Sequence, residues 1–178
     1  LFNGTNNSDL AKIKLAFKKK QNLRKIEFPD NTNGIFFFED KQKKIFFDTV
    51  QPTNSLNSKK LSAGTLSIEF SADKEKIITN CGSLEKITGN AGYLRYSAAH
   101  STIVLENTNI SEIRQSQPQI KFPQMVSFKK HIENSKNTIE ASHNGYIKNY
   151  KKILKRKINF QENESYLIGE DSIISATS

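Results

Sequence analysis

The stretch "GTLSIEFSADKEKIITNCG", Gly64 to Gly82, decides the fold. Leu66, Ile68 and Phe70 alternate with Thr65, Ser67 and Glu69, the period-two signature of a strand with one apolar and one wet face. Ser71 to Lys74 is polar and turns the chain, and Ile77 to Cys81 brings it back. The segment is therefore a two-stranded antiparallel meander, and its neighbours read the same way. Upstream, the turn-rich "PDNTNG" (Pro29 to Gly34) precedes a hairpin with arms Ile35–Phe38 and Ile45–Val50 around a loop at Asp40–Lys44. "QPTNSLNSKK" (Gln51 to Lys60) is a polar loop. Downstream, "TIVLEN" (Thr102 to Asn107) alternates, which predicts a strand that begins near His100. "TIEASHNGYI" (Thr138 to Ile147) predicts a strand ending in a type I′ turn at Asn144-Gly145. "ILKRKINF" and "SYLIGEDSII" flank "QENE" as a last hairpin. Leu10 to Lys20 fits either a short helix or a strand.

Short strands at near-regular spacing, with turn signals between them and no fixed-period repeat, predict an all-β antiparallel sandwich with at most one short helix. A chain of 178 residues suffices for one domain, here residues 1–178, and its 12 Phe and 5 Tyr supply bulky core material. No apolar run approaches the length of a membrane-spanning helix, so no membrane partner is expected. One cysteine excludes an internal disulfide. The chain begins at Leu1 and stops just after a strand, which reads as a piece of a longer protein with the sandwich incomplete at its C-terminal end.

The formal charge is +9, from 27 Lys+Arg against 18 Asp+Glu. Two readings stay open: the Lys-, Asn- and Ile-rich usage of an AT-rich genome, or an anionic partner. The densest basic run is "KNYKKILKRK", Lys148 to Lys157, containing Lys148, Lys155 and Arg156. It fits a solvated sheet face or a contact surface for acidic polymers. Nucleic acid is the weaker partner, because no recognition motif accompanies the charge. Arg95, with Tyr93 and Tyr96, forms either a sugar-stacking patch or filling for the excursion "GSLEKITGNAGYLRY". His100 reads either as a residue bonding a backbone carbonyl or as a cleft residue. His143 and Tyr146 read either as turn packing or as groups facing substrate. His131 reads as a surface residue.

Six motifs in order, "LFNG" (Leu1–Gly4), "GTLSIEF" (Gly64–Phe70), "TNCG" (Thr79–Gly82), "AHST" (Ala99–Thr102), "ASHNGY" (Ala141–Tyr146) and "GED" (Gly169–Asp171), resemble the β domain of the bacterial heparinase II/III-like proteins. The resemblance implies a large β-sandwich that follows an N-terminal α/α toroid, here absent. It implies a periplasmic enzyme that cleaves uronic-acid polysaccharides, glycosaminoglycans among them, by β-elimination. A base takes the C5 proton of the uronate and an acid protonates the leaving oxygen at C4. The expected partners are an acidic polysaccharide and the protein's own toroid, which carries the Asn and Tyr of the lyase site. His100, His143 and Tyr146 are then the catalytic candidates. Arg95, Tyr96, Lys148, Lys155 and Arg156 are the substrate-binding ones.

The family's β-domain histidine lines up near Ser62. A zinc site of related lyases lines up near Gly64, near Asn80 or Cys81, and at His100. Only His100 and Cys81 of these are ligand types, and zinc takes three or four protein ligands. No cofactor is therefore expected. With these substitutions the isolated domain is expected to be inactive, and a non-catalytic carbohydrate-binding or structural domain is the alternative.

Overall fold

A computed structural model describes residues 34–53, 61–82, 91–113 and 121–176. The ambiguous segment at Leu10–Lys20 and the "LFNG" motif lie outside the described residues. Eight strands form two four-stranded antiparallel sheets, ordered β1-β2-β3-β4 and β5-β6-β7-β8. The first sheet holds β1 (Ile35–Glu39), β2 (Lys43–Asp48), β3 (Ile68–Ala72) and β4 (Glu75–Ile78). The second holds β5 (Val126–Glu133), β6 (Lys136–His143), β7 (Lys152–Gln161) and β8 (Ile168–Ser175). Consecutive strands are neighbours throughout, so each sheet is a meander.

The turns explain the registers. Asp40 Oδ1 accepts the N–H groups of Gln42 (2.9 Å) and Lys43 (2.7 Å), closing the β1–β2 loop. Asp73-Lys74 and Asn134-Ser135 each carry two positive φ angles, the type I′ geometry that suits the twist of a tight hairpin. The sheets meet face to face. Phe36, Ile45, Phe47, Leu66 and Ile68 pack with Ile139, Ala141, Ile158 and Phe160 in one core. Lys43 crosses the same interface. Its buried ammonium pairs with Asp40 (2.8 Å), donates to the carbonyls of Gln161 (2.7 Å) and Glu164, and lies 4.7 Å from the Phe160 ring centroid.

The sandwich and the hairpins read from the sequence are present. Three local readings are corrected. Thr65–Ser67 is not part of the strand: β3 starts at Ile68, Leu66 takes positive φ, and Thr65 and Ser67, read as the wet face, are buried. Thr102–Asn107 is no strand: two short 3-10 helices, Ala91–Arg95 and Ser97–Ala99, lead into turns with a single bridge between Leu105 and Thr108. Glu106 and Asn107 take positive φ there, which ends any extended run. Asn144-Gly145 is no type I′ turn either, since neither residue has positive φ. Asn144 Oδ1 instead accepts the N–H groups of Gln124 (2.9 Å) and Met125 (3.1 Å), and the chain enters a short helix α1 (Ile147–Tyr150). Gly145 is required for close approach: a Cβ would stand 2.8 Å from Ile110 Cγ2 and 3.0 Å from Pro123 Cγ.

Candidate functional site

His100 follows the second 3-10 helix and is buried where three segments converge. These are the chain before β3, the chain after β4, and the 3-10 region itself. The imidazole Nε2 lies 3.0 Å from the Leu94 carbonyl. A carbonyl only accepts, so Nε2 carries the proton and Nδ1 holds the lone pair in the neutral ring. Burial lowers the His100 pKa below its ordinary value, against the raising influence of the Leu94 carbonyl. The ring lies against Gly64, where a Cβ would be 3.2 Å from His100 Cγ and 3.3 Å from Nδ1. Gly64 therefore makes room for the imidazole.

The backbone around His100 is held from several sides. Cys81 N–H donates to the Ala99 carbonyl (3.1 Å), and His100 N–H to the Ser97 carbonyl (3.0 Å). Ser101 N–H donates to Asn80 Oδ1 (2.8 Å), and Asn80 Nδ2 donates to the Ile68 carbonyl (3.0 Å). Ser101 Oγ accepts the Ile68 N–H (2.8 Å). Thr102 Oγ1 donates to the Thr65 carbonyl (2.7 Å). Arg156 reaches in from β7 and donates from Nη1 to the carbonyls of Ser101 and Leu66.

The other candidates are dispersed. Arg156 forms a bidentate pair with Asp171, Nε to Oδ1 and Nη2 to Oδ2, both at 2.7 Å. With Nη1 on two carbonyls, every guanidinium nitrogen has a protein partner, the arrangement of an architectural arginine. Lys155 projects from the opposite face of β7 and pairs with Glu140 at 2.9 Å. Lys157 stands in register between Glu140 and Glu170 on that face. Lys148 is exposed on α1. The basic run is thus divided among a helix, an outer face and the interior, and does not form one anion-binding strip.

His143 and Tyr146 are each only 1% exposed, and their rings lie 6.0 Å apart, centre to centre. His143 Nδ1 accepts the Gly145 N–H at 3.1 Å, so Nε2 carries the proton, and it has no partner among the described residues. Burial first, then the nearby Arg156 charge, lowers the His143 pKa to about 4. Tyr146 Oη donates to the Thr108 carbonyl (2.7 Å) and lies 3.2 Å from that of Ile103; burial raises its pKa. Both side chains lie in the interior, as that of His100 does. Arg95 is also buried. Its Nε donates to the Leu61 carbonyl (2.9 Å), and burial lowers its pKa. Tyr93 and Tyr96 remain exposed, and the Tyr96 N–H donates to the Tyr93 carbonyl at 3.0 Å.

The implied zinc positions do come together, but their donors do not fit the metal. Gly64 has no side chain, and Asn80 Oδ1 already accepts from Ser101. The protonated Nε2 of His100 is held by Leu94. Among the described residues, no group of three or more His, Cys, Asp or Glu could hold a metal ion. Ser62, at the place of the expected histidine, is buried, and its hydroxyl has no partner among the described residues. The sequence reading missed the bonding roles of Asn80, Ser101 and Lys43. The adjacency of "TN" to "CG" and of Ser101 to His100 was the available signal for the first two.

No curated protein and no solved structure matches the chain. The family model for heparinase II/III-like proteins, C-terminal, matches residues 26–178. The chain therefore belongs to the heparinase II/III-like family, as its C-terminal β domain.

Proposed function

We propose that this β domain serves a lyase that cleaves uronic-acid-containing polysaccharides by β-elimination, and that His100 is its contribution to proton transfer. The observation that carries the reading is the state of that imidazole: neutral, tautomer fixed by the Leu94 carbonyl, with Nδ1 able to accept a proton. β-Elimination needs such a base. The proton leaves C5, its electron pair forms the C4–C5 double bond, and the C4–O bond breaks with the leaving oxygen taking a proton. The acid and the groups that neutralise the uronate carboxylate come from an N-terminal toroid, and the whole protein works in the periplasm. The donor set at Gly64, Asn80 and His100 supports a metal-free junction. His143 and Tyr146 lie inside the domain and take no part.

The test uses the full-length gene product on heparan- and alginate-type polymers, following the ultraviolet absorbance of the unsaturated product. The expected result is turnover by the full-length protein, none by the 178-residue chain, and a loss of at least ~100-fold in His100→Gln. Undiminished turnover in His100→Gln overturns the role of His100. Robust turnover by the isolated chain overturns the need for a toroid.

A second reading, a non-catalytic carbohydrate-binding or structural domain, is favoured by Ser62 at the place of the family's histidine. Full-length protein that is retained on an immobilised uronate polymer but releases no unsaturated product would establish it instead.

A further inference from the structure

Two consecutive residues bracket His100. Cys81 N–H holds the carbonyl of Ala99, immediately before it, and Asn80 Oδ1 holds the N–H of Ser101, immediately after it. Asn80 is itself tied to β3, because its Nδ2 donates to the Ile68 carbonyl at 3.0 Å. Ser101 closes the arrangement. Its hydroxyl accepts the Ile68 N–H and also lies 3.1 Å from Asn80 Oδ1. The job needs an acceptor for Ser101 and a donor for Ile68 on one short side chain. An asparagine supplies both; an aspartate would supply only the first.

Among the described residues the imidazole has a single side-chain hydrogen bond, from Nε2 to the Leu94 carbonyl on the first 3-10 helix. Whether that bond forms depends on where the His100 backbone stands relative to Leu94. The bracket sets that position. We propose that Asn80 is a positioning residue for His100, acting through Ser101 to keep the Nε2–H on the Leu94 carbonyl and so leave Nδ1 as the proton-accepting atom.

The inference rests on the reading of His100 as the base, but its test needs no substrate. Nitrogen-15 NMR of the imidazoles in the 178-residue chain reports which ring nitrogen carries the proton, and a pH titration reports its affinity. In the parent chain His100 should show the Nε2–H form alone. Asn80→Ala should convert this to a mixture of tautomers and move the His100 titration upward, towards that of an exposed histidine. Ser101→Ala keeps the backbone N–H on Asn80 but loses the hydroxyl, and should give a smaller change in the same direction. Thr108→Ala removes a hydrogen bond to Tyr150 away from the bracket and should lower stability while leaving the tautomer alone. An Asn80→Ala protein that is folded, less stable and unchanged at His100 would mean that Asn80 is merely structural, and overturns the proposal. If Asn80→Ala does not fold, an unchanged tautomer in folded Ser101→Ala overturns it. A negative lyase assay with an intact NMR response would reject the catalytic reading and leave the bracket standing.

Discussion

Acidifying the protein from about pH 7 to about pH 5 sets two buried groups against each other. His143 is held neutral in the interior with a pKa of about 4, against 6.5 when free. Between those values the unfolded chain binds a proton that the folded chain refuses, so this group's stability contribution is full above 6.5 and is lost as pH falls towards 4. A shift of this size corresponds to roughly 3 kcal/mol in full, and about 2 kcal/mol of it is lost by pH 5. Asp48 acts in the opposite sense. Burial raises its pKa from 3.8 to about 6, against the lowering effect of the Val50 N–H. The folded carboxyl therefore holds its proton more tightly than the unfolded one, and acidification through that range stabilises the fold. Between pH 7 and pH 5 its share is about 1 kcal/mol. On this change Asp48→Asn should lose about 1 kcal/mol more than the parent protein, and His143→Gln about 2 kcal/mol less. The difference in slope isolates each group, because the depressed His100 is common to all three proteins. Urea denaturation at the two pH values, followed by circular dichroism, measures it. A His143→Gln protein with the parent's acid loss would refute the assignment of that loss to the buried imidazole.

Three further outcomes follow from the same interior. Lys43→Met keeps the aliphatic stem but takes the ammonium from the Gln161 and Glu164 carbonyls and leaves the Asp40 carboxylate without its counter-charge; it should cost about 3–5 kcal/mol in urea denaturation. Arg156→Lys keeps the charge but cannot make the bidentate Asp171 pair and hold two carbonyls at once. It should lose about 2 kcal/mol, and a stability equal to the parent's would contradict the geometry. The melting temperature should be the same with added zinc or with a chelator, and a chelator-induced fall would show a metal holding the fold.

The strands of the first hairpin and meander were legible because they carry their own period-two signal. Phe36 and Phe38, then Ile45 and Phe47, then Ile68 and Phe70 mark one face without outside information. The segment after His100 shows the limit of that signal. "TIVLEN" alternates, yet it turns at Glu106-Asn107, where both residues take positive φ, and the groups bonded beside that turn come from far along the chain. Tyr146 Oη bonds the Thr108 carbonyl and Thr108 Oγ1 meets Tyr150, both contacts from residues some 40 positions away. β5 was overlooked for the opposite reason. "VSFKKHIE" is mostly exposed, so its composition carries little apolar contrast, and its pairing with β6 is set by the Asn134-Ser135 turn. Long-range side-chain-to-backbone bonds of the first kind leave no local pattern in a sequence.

The candidate site was harder to read because residue type alone does not say which way a charged side chain points. Parity does. On β7, Leu154, Ile158 and Phe160 are buried and share their parity with Arg156, whereas Lys155 and Lys157 have the other. The run that looked like one basic strip thus sends its guanidinium inward to Asp171 and two carbonyls, and its lysines outward to face Glu140 and Glu170. On that outer face Lys129 and Lys157 both stand in register with Glu140, and Lys155 pairs with it. The proposed chemistry lies at the loop junction. There a single neutral imidazole is held by Asn80, Ser101, Gly64 and the Leu94 carbonyl, and two exposed tyrosines stand one helical turn apart on the segment that supplies that carbonyl. The direction of Arg156 matters to that junction too, because its Nη1 binds the carbonyl of the residue after His100. An inward arginine on the second sheet is what fastens the candidate base to the sandwich.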